Sequence, residues 1–580
     1  MEVSVSHQPK RWQFAPAAPV HFINALSDLG PVLAQVLYNR GLTTPQVARS
    51  FLMGDLPLHD PMQMLGMGKA VGRIRQAIKR KEKIVVYGDF DADGVTSTAV
   101  LVTTLRALGG VVEHYIPNRI DEGYGLNTPA LLELARRGTK LVVTVDCGIR
   151  SVEEVQAGRD AGLDIIVTDH HSIGEIIPPA YAVLNPKQTN CSYPEDMLAG
   201  VGIAFKLASA LLKVFSEQDR TPPPISQRDL LDLVAVGTVA DLAPLARAEN
   251  RKLVQLGLNE LSKARRPGLY KLLEEAGVSP GNVTTTTIGF IIGPRLNAAG
   301  RLQSATTAYK LLVTEDWQEA TELAKELQSL NTRRQEYTLA AYELAREMAL
   351  NTNNGNGSTP SLIFAAHPEF LPGIVGLVAG RLTEEFYRPS VVVEMGETES
   401  HGSCRSIPEF NITAALDRCA DLLLRHGGHA QAAGFTVQNE NIPVLQQRLA
   451  EIAETELSQH DSRPTLLVDA DVPMSSLTMD LVSQLQALEP TGTENPEPVF
   501  VTRRLRVREA RLVGKENNHL KLRVGDGPFG MDAIAFGQGH WFSDLPPVID
   551  MAYHLQVNEW NDRLTLQMQV LDIHPTERGK

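Results

Sequence analysis

A multidomain α/β protein is predicted here, on three observations. Between Lys83 and Leu184, short β-branched runs alternate with helical segments, the pattern of a parallel sheet with crossover helices. From Thr314 to Leu350, no glycine or proline interrupts a stretch rich in Ala, Leu, Glu, Gln, Lys and Arg, which predicts one long helix. Past Arg463, short alternating apolar runs predict a small β-barrel or sandwich. At 580 residues the chain is too long for one core, and 43% hydrophobic with 21% charged residues is the composition of an ordinary globular protein.

The elements follow in order. Pro31 to Lys81 reads as short helices with loops, so residues 1–60 are expected to form an N-terminal lobe. The sheet runs are Ile84–Tyr87, Val111–Ile116, Lys140–Val145, Asp164–Thr168 and Tyr181–Leu184, within an α/β domain over 61–313. A connecting helix over 314–350 would extend ~50 Å at about 1.5 Å per residue. The turn formers of Asn351–Pro360 (NTNNGNGSTP) then mark a linker. A smaller α/β domain over 361–459 holds the runs Leu362–Ala365 and Ser390–Glu394. The barrel over 460–580 holds Arg504–Val513, Leu520–Val524, Met531–Phe536 and Leu564–Val570.

Composition narrows the function. Met1 to Leu29 contains no continuous apolar run, so neither a signal peptide nor a membrane span is expected. Cys147, Cys191, Cys404 and Cys419 lie far apart without paired spacing, which argues against disulfides and thiolate zinc and points to the cytoplasm. A net charge of −13 restricts any nucleic-acid path to a local basic groove.

The chemistry gathers where the runs end. Ile84–Tyr87 leads into Gly88-Asp89-Phe90-Asp91-Ala92-Asp93-Gly94, three carboxylates on alternate residues at the sheet edge where open α/β folds bind ligands. Carboxylates this close repel one another unless a cation neutralises them, and such oxygen-rich clusters suit Mg²⁺ or Mn²⁺. A calcium loop is the competing reading, but its later glutamate position falls in an apolar helical stretch. The third sheet run ends in Asp146-Cys147-Gly148, the fourth in Asp169-His170-His171, and the apolar run Leu230–Val239 in Ala240-Asp241. One such Asp is commonly a helix cap. Four clusters at equivalent ends indicate a shared site.

These motifs resemble the DHH phosphoesterase family, whose label is Asp169-His170-His171. Asp89 to Gly94, Val145-Asp146-Cys147-Gly148, the DHH triplet and Gly237-Thr238-Val239-Ala240-Asp241 match its first four motifs in order. The resemblance implies two ions, Mn²⁺ or Mg²⁺. It gives Asp91 to one ion and Asp93 to the other, with Asp146 bridging and with His170 and Asp241 completing the ligands of the second ion. Small members of the family carry a metal-binding His four residues before the first Asp of the pair. Tyr87 stands there in this chain, so Asp89 is the expected substitute. By the same resemblance Asp169 orients the histidines, and His171 contacts the scissile phosphate or moves a proton.

Pyrophosphatases and oligonucleotide-trimming enzymes share that metal core, so the rest of the chain has to select the substrate. Gly293-Pro294-Arg295-Leu296-Asn297-Ala298-Ala299-Gly300-Arg301-Leu302 is similar to an additional motif of the family's 5′-to-3′ exonucleases. Gly402-Ser403-Cys404-Arg405-Ser406 and Gly427-Gly428-His429-Ala430-Gln431-Ala432-Ala433-Gly434-Phe435 resemble the DHH-associated substrate-binding domain. Gly427 and Gly428 would admit a strand closely, while Ser403, Arg405 and His429 offer phosphate donors. By the same resemblance, Arg119, in Pro117-Asn118-Arg119, and Arg301 are the expected partners of a terminal or adjacent phosphate.

The barrel carries Arg503, Arg504, Arg506, Arg508, Arg511, Lys515, Lys521 and Arg523 against Glu509 and Glu516, which in such exonucleases is an OB-fold that grips single strands. Phe529, Phe536, Trp541 and Phe542 follow as stacking candidates or core. The reading is a 5′-to-3′ exonuclease on the 5′ end of single-stranded DNA. The resemblance implies a helicase and a single-strand-binding protein as partners, and roles in recombination and mismatch repair. A monomer is expected, with no membrane contact. A small-substrate phosphatase would leave the helix and barrel without purpose, and a catalytically dead replication scaffold would not keep every acidic position filled.

Overall fold

The computed structural model describes residues 9–56, 58–119, 122–123, 125–219, 223–351, 360–458, 460–461, 463–560 and 563–576. The chain divides into two compact units, one comprising residues 58–243 and 249–462 and the other residues 6–57, 244–248 and 463–580.

In the first unit β1 (Lys83–Gly88), β2 (Val111–Tyr115), β3 (Thr139–Val145), β4 (Asp164–Thr168) and β5 (Ala182–Leu184) form a parallel sheet in the order β2-β1-β3-β4-β5. Strand order reverses between β1 and β3, so a crevice opens at their carboxyl ends, the place where such sheets hold ligands. β1 and β3 are buried along most of their length, which is why they read as continuous apolar runs.

Asp91 starts helix α1 (Ala92–Ala107) by accepting a hydrogen bond from the Gly94 amide at 3.0 Å. α1 packs against α2 (Gly200–Asp219) and α3 (Leu231–Ala240). α3 corrects an expectation: Leu230–Val239 does not end at a strand edge, because it is a helix. Its residues Leu231 to Val239 are all buried, and a helix apolar all round shows no 3.6-residue period to separate it from a buried strand. Tyr181, expected in the last strand, lies outside it and is exposed.

Further along, α4 (Gly293–Leu302) leads by a short helix to α5 (Trp317–Asn351). With 35 residues α5 is about 52 Å long at 1.5 Å per residue. It begins later than Thr314 because the Asp316 carboxylate accepts from the amides of Gln318 (2.7 Å) and Glu319 (3.0 Å), capping the first turn. Most of the expected linker, residues 352–359, falls outside the described residues.

A second sheet in the same unit comprises β6 (Ile363–His367), β7 (Ser390–Met395), β8 (Glu399–Arg405), β9 (Leu423–His429) and β10 (Ala432–Gln438), ordered β9-β10-β8-β7-β6. Only β6 and β7 run parallel. Helix α6 (Val375–Phe386) and the end of α5 share an apolar core with β6 and β7.

The second unit is a closed barrel of β11 (Phe500–Val513), β12 (His519–Asp526), β13 (Phe529–Ala535), β14 (Val548–Trp560) and β15 (Arg563–Pro575). They run in the order β11-β12-β13-β15-β14, with β14 pairing back to β11. That closure is the OB-type barrel expected of this region. Phe22, Leu26, Leu33 and Leu37 share the barrel's core, and Arg11–Phe14 pairs in parallel with Thr465–Val468. The Trp12 indole donates to Asp572 at 2.8 Å, tying the two ends of the chain together within this unit.

Candidate two-metal active site

At the β1/β3 switch point the motif residues converge. Three triplets each place their potential ligand atoms within 4.8 Å of one another: Asp89, Asp91 and Asp146; Asp93, His170 and Asp241; and Asp146, His170 and His171. Asp89, Asp91 and Asp93 follow β1, Asp146 follows β3 with φ 61°, the histidines follow β4, and Asp241 caps the C-terminus of α3.

The local backbone explains these placements. Both oxygens of Asp93 accept from the first amides of α2, Gly200 at 2.7 Å and Val201 at 2.8 Å. Gly200 also leaves room for Asp146: a Cβ there would lie 2.7 Å from the Asp146 Cβ and 2.8 Å from its Oδ1. Gly237 plays the same part for α1, since a Cβ would meet the Thr96 hydroxyl at 2.3 Å and Asp93 Oδ1 at 2.9 Å. Tyr87 turns into the core, where its hydroxyl donates to the Gly125 carbonyl at 3.2 Å. It offers nothing to the cluster.

Such crowding is electrostatically costly. Burial and the charge of Asp91 push the Asp89 carboxyl well above its ordinary range, and the same causes push Asp93 to about 7. Burial and Asp93 raise Asp146 strongly and Asp241 to about 9. Two like charges 4 Å apart repel by about 4 kcal/mol at an effective dielectric of about 20. Several such pairs rival the roughly 5–15 kcal/mol that holds a domain folded. Divalent cations remove that cost. The donor set fits them on a second count: Asp89 Oδ1, Asp146 Oδ1 and His170 Nε2 are buried without a hydrogen-bond partner. Burial and neighbouring His171 lower His170 to about 3, so it is neutral and able to ligate.

The DHH triplet is held from behind. Asp169 accepts from the Ile149 amide (2.9 Å), the His171 amide (3.0 Å) and His171 Nδ1 (2.7 Å). Burial opposes charge on both partners, yet these hydrogen bonds keep Asp169 below its usual range and raise His171 above its own. Lys187 donates to the His170 carbonyl at 2.6 Å and Asn185 to the His171 carbonyl at 3.0 Å. Sequence reasoning misses both Lys187 and Asn185, because nothing in the local pattern links them to the triplet. Asn297, which accepts from the Ala92 amide at 2.7 Å, lies inside the Gly293–Leu302 motif.

Beyond the acidic cluster stand the arginines. Arg119 lies over the Phe90 ring at 5.0 Å and feels the charges of Asp89 and Asp91. Arg301 donates to the Gly373 carbonyl at 2.9 Å, and burial with Arg119 and Arg334 nearby lowers it to about 10. Arg405 reaches Ser403 Oγ at 3.4 Å and donates to the Cys404 carbonyl at 2.8 Å.

Across the second sheet Arg405, Ala432 and His429 are in register, as are Ser403, Gly434 and Gly427, so these two rows share one face. The small residues of β10 make a trough between polar side chains. Nothing stands within 4 Å of a Cβ at Gly427, whereas one at Gly428, where φ is 151°, would strike the Ala432 carbonyl at 2.3 Å. The hairpin itself therefore requires Gly428, and open approach belongs to Gly427.

In the barrel unit the basic strip is partly committed to structure. Arg503 pairs with Asp471 at 2.6 Å, Arg508 donates to the Gly527 and Phe529 carbonyls at 2.8 Å, and Lys521 and Arg523 flank Asp532. Arg504, Arg506, Arg511 and Lys515 are exposed. Phe529, Phe536 and Phe542 are exposed too, while Trp541 packs on the core.

A parallel sheet with clustered carboxylates and a DHH triplet at its switch point defines a metal-dependent phosphoesterase, and the family comparisons agree. The DHH family N-terminal domain matches residues 83–238, the DHHA1 domain 359–455 and the RecJ OB domain 468–572. The single-stranded-DNA-specific exonuclease RecJ of Bacillus subtilis is 39% identical over 552 residues, covering 94% of this chain and 68% of that protein. The Escherichia coli RecJ is 35% identical over 565 residues, covering 95% and 96%. The crystal structure of RecJ with Mn²⁺ from Thermus thermophilus superposes with a TM-score of 0.83 at 33% identity, covering 98% of this chain and 80% of that one. The same protein with Mg²⁺ gives a TM-score of 0.77. The chain belongs to the RecJ family of DHH exonucleases.

Proposed function

We propose that this chain hydrolyses single-stranded DNA from its 5′ end, as a 5′-to-3′ exonuclease acting in recombination and repair. The observation that carries the reading is the adjacency of the acidic cluster to Arg119 and Arg301, which supports a phosphate-binding role for the two arginines beside the proposed cleavage site. A pocket for the terminal phosphate is useful on every turnover only if each cut leaves a new 5′ phosphate. The bond broken is therefore the one between phosphorus and the 3′ oxygen.

In this mechanism Asp89 and Asp91 would hold one divalent ion and Asp93, His170 and Asp241 the other, with Asp146 available to both. When bound, the ions supply charge neutralisation at the phosphoryl oxygens and a lowered pKa for the attacking water. Asp169 fixes the His171 ring, and His171, with its raised pKa, contacts the scissile phosphate and returns a proton to the departing 3′ oxygen. Arg119, Arg301, Ser403 and Arg405 hold the terminal phosphate, and Gly427, Gly428 and His429 border the trough along which the strand lies.

Residues 61–313 act as the catalytic domain, 314–350 as the connecting helix, 361–459 as the substrate-binding domain and 460–580 as the strand-gripping barrel, with 1–60 as the N-terminal lobe. The protein acts as a cytoplasmic monomer on strands unwound by a helicase and coated by a single-strand-binding protein. Among the described residues no helix is long and apolar enough to cross a membrane.

Digestion of 5′-labelled and 3′-labelled single strands with Mn²⁺ tests the reading. Release of the 5′ label first is expected, and release from the 3′ end or from duplex alone would refute it. Asp93→Ala and His170→Ala should each abolish cleavage while the protein remains folded.

A further inference from the structure

We propose that a second arginine cluster behind the 5′ pocket, formed by Arg334, Arg381 and Arg295, binds phosphate groups lying beyond the terminal one. The protein would thereby accept strands with a 5′-polyphosphate end. This rests on the reading of Arg119, Arg301 and Arg405 as the terminal-phosphate pocket.

The cluster continues from that pocket away from the carboxylates. Arg119 feels Asp89 and Asp91; Arg301 stands near Arg119, Arg405 and Arg334; Arg334 in turn stands near Arg381 and Arg295. Three packed helices supply the outer members: α4 carries Arg295, α5 carries Arg334 and α6 carries Arg381. Arg295 is braced by Gln328 at 2.8 Å and the Ile291 carbonyl at 2.8 Å, and Arg334 by Asn331 at 2.9 Å. Gln328, Asn331 and Arg334 follow one another at three-residue spacing along one side of α5.

All these braces are neutral. Among the described residues no carboxylate lies within ion-pair distance of Arg295, Arg301, Arg334, Arg381 or Arg405, in a chain whose net charge is −13. Two other arginines of this unit are paired with carboxylates instead: Arg73 with Asp164 and Glu82, and Arg266 with Asp232. The Nε of Arg334 is buried with no hydrogen-bond partner at all. A partly buried guanidinium surrounded by other guanidinium groups is costly unless an anion sits among them, and planar, fixed arginines suit phosphate oxygens in particular. Burial and the neighbouring Arg381 and Arg295 hold Arg334 below its ordinary pKa.

The shared chemistry is a phosphate on the 5′ side of the terminal pocket. It can come from the β and γ phosphates of a triphosphorylated end, or from the backbone phosphate of an additional nucleotide seated past the cleavage point. In the first case cleavage is unaltered in bond and balance. Water adds to the scissile phosphorus, the 3′ oxygen leaves with a proton, and the product is a nucleoside triphosphate instead of a monophosphate.

The test compares the full-length protein with Arg334→Gln on one sequence carrying a 5′-monophosphate or a 5′-triphosphate, with thermal melting as the check on folding. Wild type is expected to cut both with similar KM. Arg334→Gln should raise KM for the triphosphate strand at least tenfold and leave the monophosphate strand within twofold. Inorganic tripolyphosphate should compete in wild type and lose potency in the variant. A dinucleotide first product from the monophosphate strand, absent with Arg334→Gln, would assign the same cluster to a backbone phosphate. If wild type cuts the monophosphate strand but refuses the triphosphate and releases no dinucleotide, or if Arg334→Gln affects both strands equally, the cluster is not a phosphate site. If wild type releases nothing from the 5′ end of either strand, the exonuclease reading fails, and this proposal with it.

Discussion

His170 Nε2 stands 3.1 Å from Asp146 Oδ1, yet neither atom makes a hydrogen bond, and both are buried. Two polar atoms held this close and left unsatisfied are arranged for something between or beside them, and a cation satisfies both at once. Metal occupancy should therefore govern both the stability and the activity of the site.

Metal-free protein should become less stable as pH rises. The folded-state pKa values of Asp93 (about 7) and Asp241 (about 9) lie above the ordinary carboxylate value of 3.8, so the folded state holds more protons than the unfolded state between those limits. Stability is then fully present below pH 4 as far as these groups are concerned, and is lost as pH climbs through 7 toward 9. Melting curves taken with a chelator across that window should show a falling Tm. Added Mn²⁺ should reverse the fall most at the high end, and a chelated protein whose Tm is flat with pH would contradict the prediction.

Gly200→Ala should damage the site without unfolding the unit. The new methyl group would lie within 3 Å of the Asp146 carboxylate, so the carboxylate and the start of α2 must move apart. Metal affinity measured by calorimetry should weaken by about 10- to 100-fold, the size of effect found when the supports of ligands are disturbed.

Lys187→Met removes the ammonium group that holds the His170 carbonyl at 2.6 Å. The loop carrying the DHH triplet would lose a support while every ligand stays in place. We expect kcat to fall about tenfold with little change in KM, restored in part by Lys187→Arg. An unchanged kcat would show that Lys187 has no positioning role.

On the barrel, Arg504→Gln, Arg506→Gln and Arg511→Gln should reduce the salt dependence of binding to long single strands, by roughly 0.7 in log–log slope for each phosphate no longer neutralised. Arg508→Gln should instead lower barrel stability, because its guanidinium holds the Gly527 and Phe529 carbonyls of the β12–β13 hairpin.

Much of the catalytic unit is legible in the sequence. Lys83 to Leu184 announces a parallel sheet because strands buried on both faces must be apolar throughout, and the acidic residues stand at the ends of those runs because only backbone leaving the sheet can present carboxylates to a ligand. The long helix is readable from the absence of breakers, and the barrel from alternation.

Other features depend on neighbours distant in sequence. That Leu230–Val239 is a helix, that Phe22 and Leu33 complete the barrel core, and that Lys187 supports His170 are consequences of packing, which local pattern does not encode. The same holds for Arg334: in sequence it is one more charged residue on a helix, and only the convergence of three helices surrounds it with cations. The sequence by itself determined the chemistry available, because carboxylates, imidazoles and arginines are what they are wherever they lie. The tertiary structure decided which of them meet, since charge acts through distance and burial, and those exist only once the chain has folded.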